Sequence, residues 1–190
     1  MDLDVVSALV QLAAAPSNLA TAVRLMAGAG LATEGFKAGQ TGSSAMPHKM
    51  NARSSERING LTAVLSGYLT MVSQISGAQW NEGDVSDSVV RRVALSDAFY
   101  ALDGIIETAL TILNEFGIFE ARISAEIESE LPFLATTKFL MAAIKNGAKR
   151  ESAHEAIKEL STKAIIDRQS GKDSSLIDAL AAYSRIPLDK

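Results

Sequence analysis

The sequence predicts an all-α fold: a long-helix bundle segment followed by a smaller C-terminal helical domain. Apolar residues recur at three-four spacing over long stretches, the signature of helices with one buried face. Only 4 prolines interrupt 190 residues, and aromatic residues, which favour strands, make up only 5%. At 47% hydrophobic residues the chain can bury a substantial core.

The first helix is predicted over residues 4–28, with Val5, Leu9, Leu12, Leu19, Val23 and Met26 as its inner face. Pro16 predicts a kink or short break, and Gly28 and Gly30 suit a C-terminal cap. Residues 31–53 lose the periodicity. Gly35, Gly39 and Gly42 punctuate them, and a stretch this long is expected to be a functional lid or disordered.

A second helix follows from about Ser54 to Ala78, facing inward through Ile58, Leu61, Leu65, Leu69, Val72 and Ile75. Trp80-Asn81-Glu82-Gly83 breaks it. A third runs from about Asp84 to Asn114, with Val89, Val93, Leu102, Ile105, Ile106, Leu110 and Leu113 as core candidates. Shorter helices are expected over 122–131, 134–147, 151–169 and 173–183. The domain boundary is placed near residue 116, giving 1–115 as bundle and 116–190 as cap, with no convincing strand in either. Phe116, Phe119, Phe133 and Phe139 read as cap core, and His154 as a structural or surface histidine.

Composition narrows the function classes. The net charge of −4 argues against nucleic-acid and anionic-membrane surfaces. With no cysteine and two histidines, zinc-cysteine sites, thiol catalysis and a His-rich metal centre are excluded. No uninterrupted apolar run reaches membrane-spanning length, and the start MDLDVV lacks a secretory leader. A soluble, cytoplasmic protein is expected. The chain begins almost inside a helical pattern, as either a free-standing domain or a piece of a longer protein can.

The chemistry concentrates in Gly42-Ser43-Ser44-Ala45-Met46-Pro47-His48-Lys49-Met50-Asn51. Glycines give hinge freedom. Two serines offer a hydroxyl as base or nucleophile. Lys49 favours an ionised hydroxyl and an anionic substrate, and Asn51 supplies donors for a carboxylate. A helix N-terminus follows, whose free N–H groups favour anions. On composition alone a Ser/Gly linker with a solvated lysine is the commoner reading.

The full string resembles the GSSxMPxKxN signature of the fumarase/aspartase superfamily, whose members eliminate fumarate from succinyl-bearing substrates. Ala45, His48 and the following Arg53-Ser54-Ser55-Glu56-Arg57 narrow the resemblance to the adenylosuccinate lyase family, as does the string from Trp80 through Arg92. The first helix and Leu131-Pro132-Phe133-Leu134-Ala135-Thr136-Thr137 are also similar, so the resemblance spans nearly the whole chain. It is nearest to bacterial forms and corresponds to their C-terminal part.

That resemblance implies roles. Ser43 would be the catalytic base, with Ser44 as a neighbouring secondary candidate. Lys49 and Asn51 would hold succinyl carboxylates and developing charge. Met46 would help shape the substrate-binding loop, and His48 would be non-catalytic. Arg57 would bind anionic groups of the substrate. Ser88 and Arg92, four apart on one helical face, would clamp the phosphate of the AMP part. Arg91 would make a surface or intersubunit contact, with Ser86 and Asp87 weaker candidates.

The implied substrate is a phosphorylated succinyl-nucleotide, with no metal or organic cofactor, no nucleic-acid or membrane partner, and a homotetramer when full length. The chain departs from the family pattern at Ala52, Gly83 and Asp87, where proline, arginine and histidine are frequent. The family's general-acid histidine lies in an upstream segment that these residues do not contain. Competing readings are another superfamily lyase or cycloisomerase and a non-catalytic helical oligomerisation module.

Overall fold

The computed structural model describes residues 1–35, 50–78, 80, 85–172 and 174–183. Among them are seven helices: α1 (Asp2–Gly28), α2 (Arg53–Ile75), α3 (Ser86–Glu115), α4 (Glu120–Leu134), α5 (Thr136–Lys145), α6 (Arg150–Gln169) and α7 (Leu176–Ala182). The all-α expectation holds. One feature corrects it: β1 (Ala32–Thr33) pairs antiparallel with β2 (Gly117–Ile118), Ala32 facing Ile118 and Thr33 facing Gly117. Two-residue strands are too short for a period-two pattern to reveal.

The chain divides into two compact units, Met1–Arg122 and Ile123–Lys190. In the first, α1, α2 and α3 pack on one another. Asn59 near the start of α2 bonds Ser17 late in α1, while Arg91 early in α3 pairs with Asp2 at 2.8 Å. Tyr68 reaches Asp97, and Gly104 lies against Leu61. These pairs set α2 antiparallel to both neighbours, an up-down-up arrangement.

The core is Val6, Leu9, Ala13, Ala20 and Val23 of α1, Ile58, Leu65 and Val72 of α2, and Ala94, Ala98, Ala101, Leu102, Ile105, Ala109 and Ile112 of α3. The inner face of α2 matches the expected one. On α1 the face is rotated: Leu12 is 61% exposed, and Val6, Ala13 and Ala20 are buried instead. On α3 the core is largely alanine, whereas Val89, Val93, Ile106, Leu110 and Leu113 face outward. Alanines let the helices approach closely, and the larger side chains on the opposite stripe are left outside.

Helix α1 runs through Pro16 without the expected break. Buried Ala13 and Ala20 flank the proline and hold both halves against the bundle. By length and composition α1 could cross a membrane, although no uninterrupted apolar run in it is that long; here one of its faces packs against α2 and α3. It ends at Gly30, in a left-handed conformation (φ 71°), where Leu31 N–H returns to Met26 O at 2.9 Å.

Core placement gives a direct test. Leu65→Ala, at a fully buried position, is expected to cost about 2–5 kcal/mol, whereas Leu12→Ala should change stability by less than about 0.5 kcal/mol. Urea unfolding of both variants measures the difference. Equal losses would contradict the rotated face of α1.

The second unit is built on α5, α6 and α7. Ala143, Ala153, Ala156, Ile157, Ala164, Leu176 and Leu180 form its core, with Phe133 and Phe139 packed against it. Phe116 and Phe119, expected as cap core, precede this unit and are exposed. Arg168 of α6 pairs with Glu130 at 2.7 Å, bonds Ser129 and stacks over Phe133 at 5.1 Å, tying α6 to the last turns of α4. Its cation–π and hydrogen bonds reinforce one another at a single guanidinium. His154 is exposed, at the rim of a cavity between α5 and α6.

Candidate functional site

Ser43, Ser44, Met46, His48 and Lys49 lie outside the described residues, as does Gly83. What is described is the frame on which their segment is mounted. The described residues stop at Gly35 on one side of that segment and resume at Met50 on the other. Gly35 has φ 100°, and a Cβ there would fall 2.5 Å from Glu115 Cβ at the end of α3. Only glycine fits this approach.

On the other side, Asn51 is half-buried and stands one residue before Ala52, the N-cap of α2. Its carbonyl accepts from Arg53 N–H at 2.9 Å. Asn51, Met50 and Ala52 line a cleft of about 680 Å³. Arg24, Glu56 and Phe119 also line it, so the end of α1, the start of α2 and the residue after β2 meet there. Arg24 is held in place by Asn59, whose Oδ1 accepts from the guanidinium at 2.8 Å. The Asn59 amide in turn donates to Ser17 O at 2.9 Å. The cleft therefore brings an asparagine amide, a guanidinium and a carboxylate together around one opening. Arg57 is exposed on the next turn of α2.

The α2 N-terminus corrects one expectation. Its N–H groups were expected to await an anion, but the Glu34 carboxylate already takes them. Ser54 N–H donates to Oε1 at 2.7 Å, and Ser55 N–H and Ser55 Oγ–H donate to Oε2 at 2.9 and 2.8 Å. Glu56 N–H starts the helical ladder on Ala52 O. The first turn has no vacant donor for substrate.

Ser88 and Arg92 share a face of α3, Ser88 half-buried and Arg92 exposed. Ser88 N–H donates to the Asp87 carboxylate at 2.7 Å. Arg91 points away, to Asp2 of α1. The structure does not bring this pair to the cleft. Asn51 stands before the first residue of α2, while Ser88 stands in the first turn of antiparallel α3, beside the far end of α2. With 23 residues in α2 and a rise of about 1.5 Å per residue, the two sites lie more than ~30 Å apart. No mononucleotide spans that distance. Among the described residues no group of three acidic or histidine side chains could hold a metal.

Glu34, Arg24 and Asn59 were not picked out from the sequence, and Glu56 entered only as part of the string that carries the resemblance. A Glu beside a glycine carries no recognisable motif, and its partner lies 21 residues on. Arg24 and Asn59 were hidden because each is an ordinary polar residue on an amphipathic helix.

No family model matches the chain. Adenylosuccinate lyase from Saccharomyces cerevisiae is 34% identical over 179 residues, covering 94% of this chain and 37% of that protein. The same enzyme from Schizosaccharomyces pombe is 34% identical over 95% of this chain and 38% of that protein. The one from Staphylococcus saprophyticus is 33% identical over 77% of this chain and 35% of that protein. The chain therefore spans less than two-fifths of the length of the curated relatives it matches. The crystal structure of 3-carboxy-cis,cis-muconate lactonizing enzyme from Pseudomonas putida superposes with a TM-score of 0.76, covering 95% of this chain and 39% of that one. At 19% identity it shares the fold.

Proposed function

The chain belongs to the adenylosuccinate lyase family, and we propose that it supplies the base-carrying part of a C–N lyase active site in purine nucleotide synthesis. The reaction releases fumarate from adenylosuccinate, leaving AMP, and from succinyl-aminoimidazole-carboxamide ribotide. Identity of 33–34% to curated lyases over most of the chain carries this reading.

Ser43 abstracts the proton that is β to the leaving nitrogen and α to a carboxylate. Charge flows into that carboxylate, then returns as the C–N bond breaks and the C=C bond of fumarate forms. A serine is a poor base in water, so its alkoxide needs nearby positive charge and donors; Lys49 and Asn51 fit that need. With the α2 N-terminus occupied by Glu34, the substrate's anionic groups fall to side chains: Lys49, Asn51 and Arg57 for the succinyl end, Ser88 and Arg92 for phosphate. Ser44 and Met46, in the same string as Ser43, contact the substrate in this reading. The leaving nitrogen takes its proton from a histidine outside these 190 residues.

The separation of Asn51 from Ser88 favours sites assembled from several copies, in keeping with a cytoplasmic homotetramer. Nothing in this elimination calls for a metal, an organic cofactor, a nucleic acid or a membrane. The purified 190-residue chain is expected to give no measurable turnover of adenylosuccinate, whereas the full-length gene product should release fumarate. Fumarate formation followed by absorbance decides both points. Normal turnover by the chain alone would sink the incomplete-site reading, and none by the full-length product would sink the lyase reading.

A further inference from the structure

Glu34 is tied by both of its oxygens to the start of α2, and the elimination makes no chemical use of it. It is only 8% exposed, on the last residue but one before residues 36–49. Its two oxygens receive three hydrogen bonds of 2.7 to 2.9 Å, all from Ser54 and Ser55 on the far side of that segment.

Three details make this more than a helix cap. First, α2 has no cap of its own: Ala52 precedes it and offers no side-chain acceptor. A carboxylate from another element therefore supplies what Ser, Thr, Asp or Asn usually supplies locally. Second, the backbone on either side of Glu34 is itself fixed. Thr33 pairs with Gly117 of β2, and Gly35 is seated against Glu115. The carboxylate thus projects from an anchored strand and cannot follow α2 if α2 shifts. Third, Asn51 lies three residues before Ser54 and Arg57 two residues after Ser55, so the clamped turn sits between two proposed substrate ligands.

We propose that Glu34 is a positioning residue: its carboxylate locks the start of α2 to the end of β1 and thereby sets Asn51 at the cleft and fixes the turn that carries Arg57. The role in turnover rests on the lyase reading; the clamp itself does not. Charge matters to the device. A carboxylate accepting backbone N–H groups at a positive helix end is held far more strongly than a neutral amide. A small carboxylate from solution should therefore be able to take its place once the side chain is removed.

The test uses Glu34→Ala and Glu34→Gln. In the 190-residue chain, Glu34→Ala is expected to lower hydrogen-exchange protection of the Ser54 and Ser55 amides by about tenfold or more. It should also shift the side-chain amide resonances of Asn51. Sodium formate should reverse both changes saturably, and should leave the wild type unaltered. Glu34→Gln should retain part of the protection. In the full-length gene product, Glu34→Ala is expected to lower kcat by about tenfold to a hundredfold with KM changed less than about threefold, because misplacement by an ångström penalises the chemical step. Formate should raise kcat again.

Unchanged exchange in Glu34→Ala overturns the clamp. Lost protection with Asn51 unmoved, or with kcat intact in an active enzyme, reduces Glu34 to a cap and overturns the positioning role. If the wild-type full-length product has no turnover, the lyase reading fails, and the exchange and Asn51 measurements still decide the proposal.

Discussion

Two variants that are each inactive, Asn51→Ala and Arg92→Ala in the full-length gene product, are expected to regain activity when assembled together. Each removes a group proposed to touch the substrate, and each alone should lower kcat/KM by about a hundredfold or more. Asn51 lies at one end of α2, and Arg92 lies toward its other end on α3. One copy therefore cannot offer Asn51 and the Ser88–Arg92 pair to the same nucleotide. If one copy gives Asn51 and another gives Arg92, random mixing at equal amounts restores both groups to about one site in four. Co-expression with two different tags, followed by fumarate assay of the doubly purified assembly, measures this. Recovery to a quarter of wild-type activity fits shared sites. Activity no higher than that of either parent would contradict sharing and remove Arg92 from the site.

How far the sequence discloses this arrangement differs from helix to helix. In α2 the buried apolar residues Ile58, Leu65 and Val72 all belong to the expected face, with Leu61 and Leu69 packed beside them, so periodicity and burial agree. In α3 they disagree. Its sequence carries two apolar stripes: one mixes alanines with Leu102, Ile105 and Ile112, of which Leu102 and Ile105 were expected in the core, and the other consists of larger residues. Hydrophobic spacing alone favours the stripe of larger residues, whereas helix packing in this bundle uses the alanine-containing one. The same conflict, on a smaller scale, rotates α1 from Leu12 to Ala13. Pro16 was expected to interrupt α1 because local chemistry opposes it; tertiary packing on both sides prevails.

The proposed site residues are those that a local string can single out. Ser43, Lys49 and Asn51 stand in one contiguous string, and Ser88 with Arg92 four apart on a helix. Their frame was not legible, because it depends on tertiary ties. The β1–β2 pair joins residues more than eighty positions apart. Glu34 reaches a helix whose own first residues contain no cap. Neither relation leaves a mark on local composition, and each becomes visible only when the ends of α1, α2 and α3 are brought together.

The outward stripe of α3 carries the second large prediction. Val89, Val93, Leu110 and Leu113 are each about half exposed or more; Val89 with Val93, and Leu110 with Leu113, are spaced by four and three, so each pair shares a side of the helix, away from the core. Burying such a side chain contributes about 1.5–3 kcal/mol. In a twofold-symmetric contact each residue would count twice, because the same patch meets itself. Association through α3 would also carry the Ser88–Arg92 face of one copy toward the surfaces of another, which the separated ligands require. Val93→Glu combined with Leu110→Glu is therefore expected to shift the 190-residue chain from oligomer to monomer, as sedimentation velocity would show. Helical content and the urea midpoint of the monomer should change little, since both side chains lie outside the core. A wild-type chain that is already monomeric at tens of micromolar, or a double variant that keeps its oligomeric mass, would show that α3 is not where copies meet. In that case a different face would have to bring Arg92 to Asn51, and the exposed apolar residues of α1, such as Leu12 and Leu25, would be the next surface to charge.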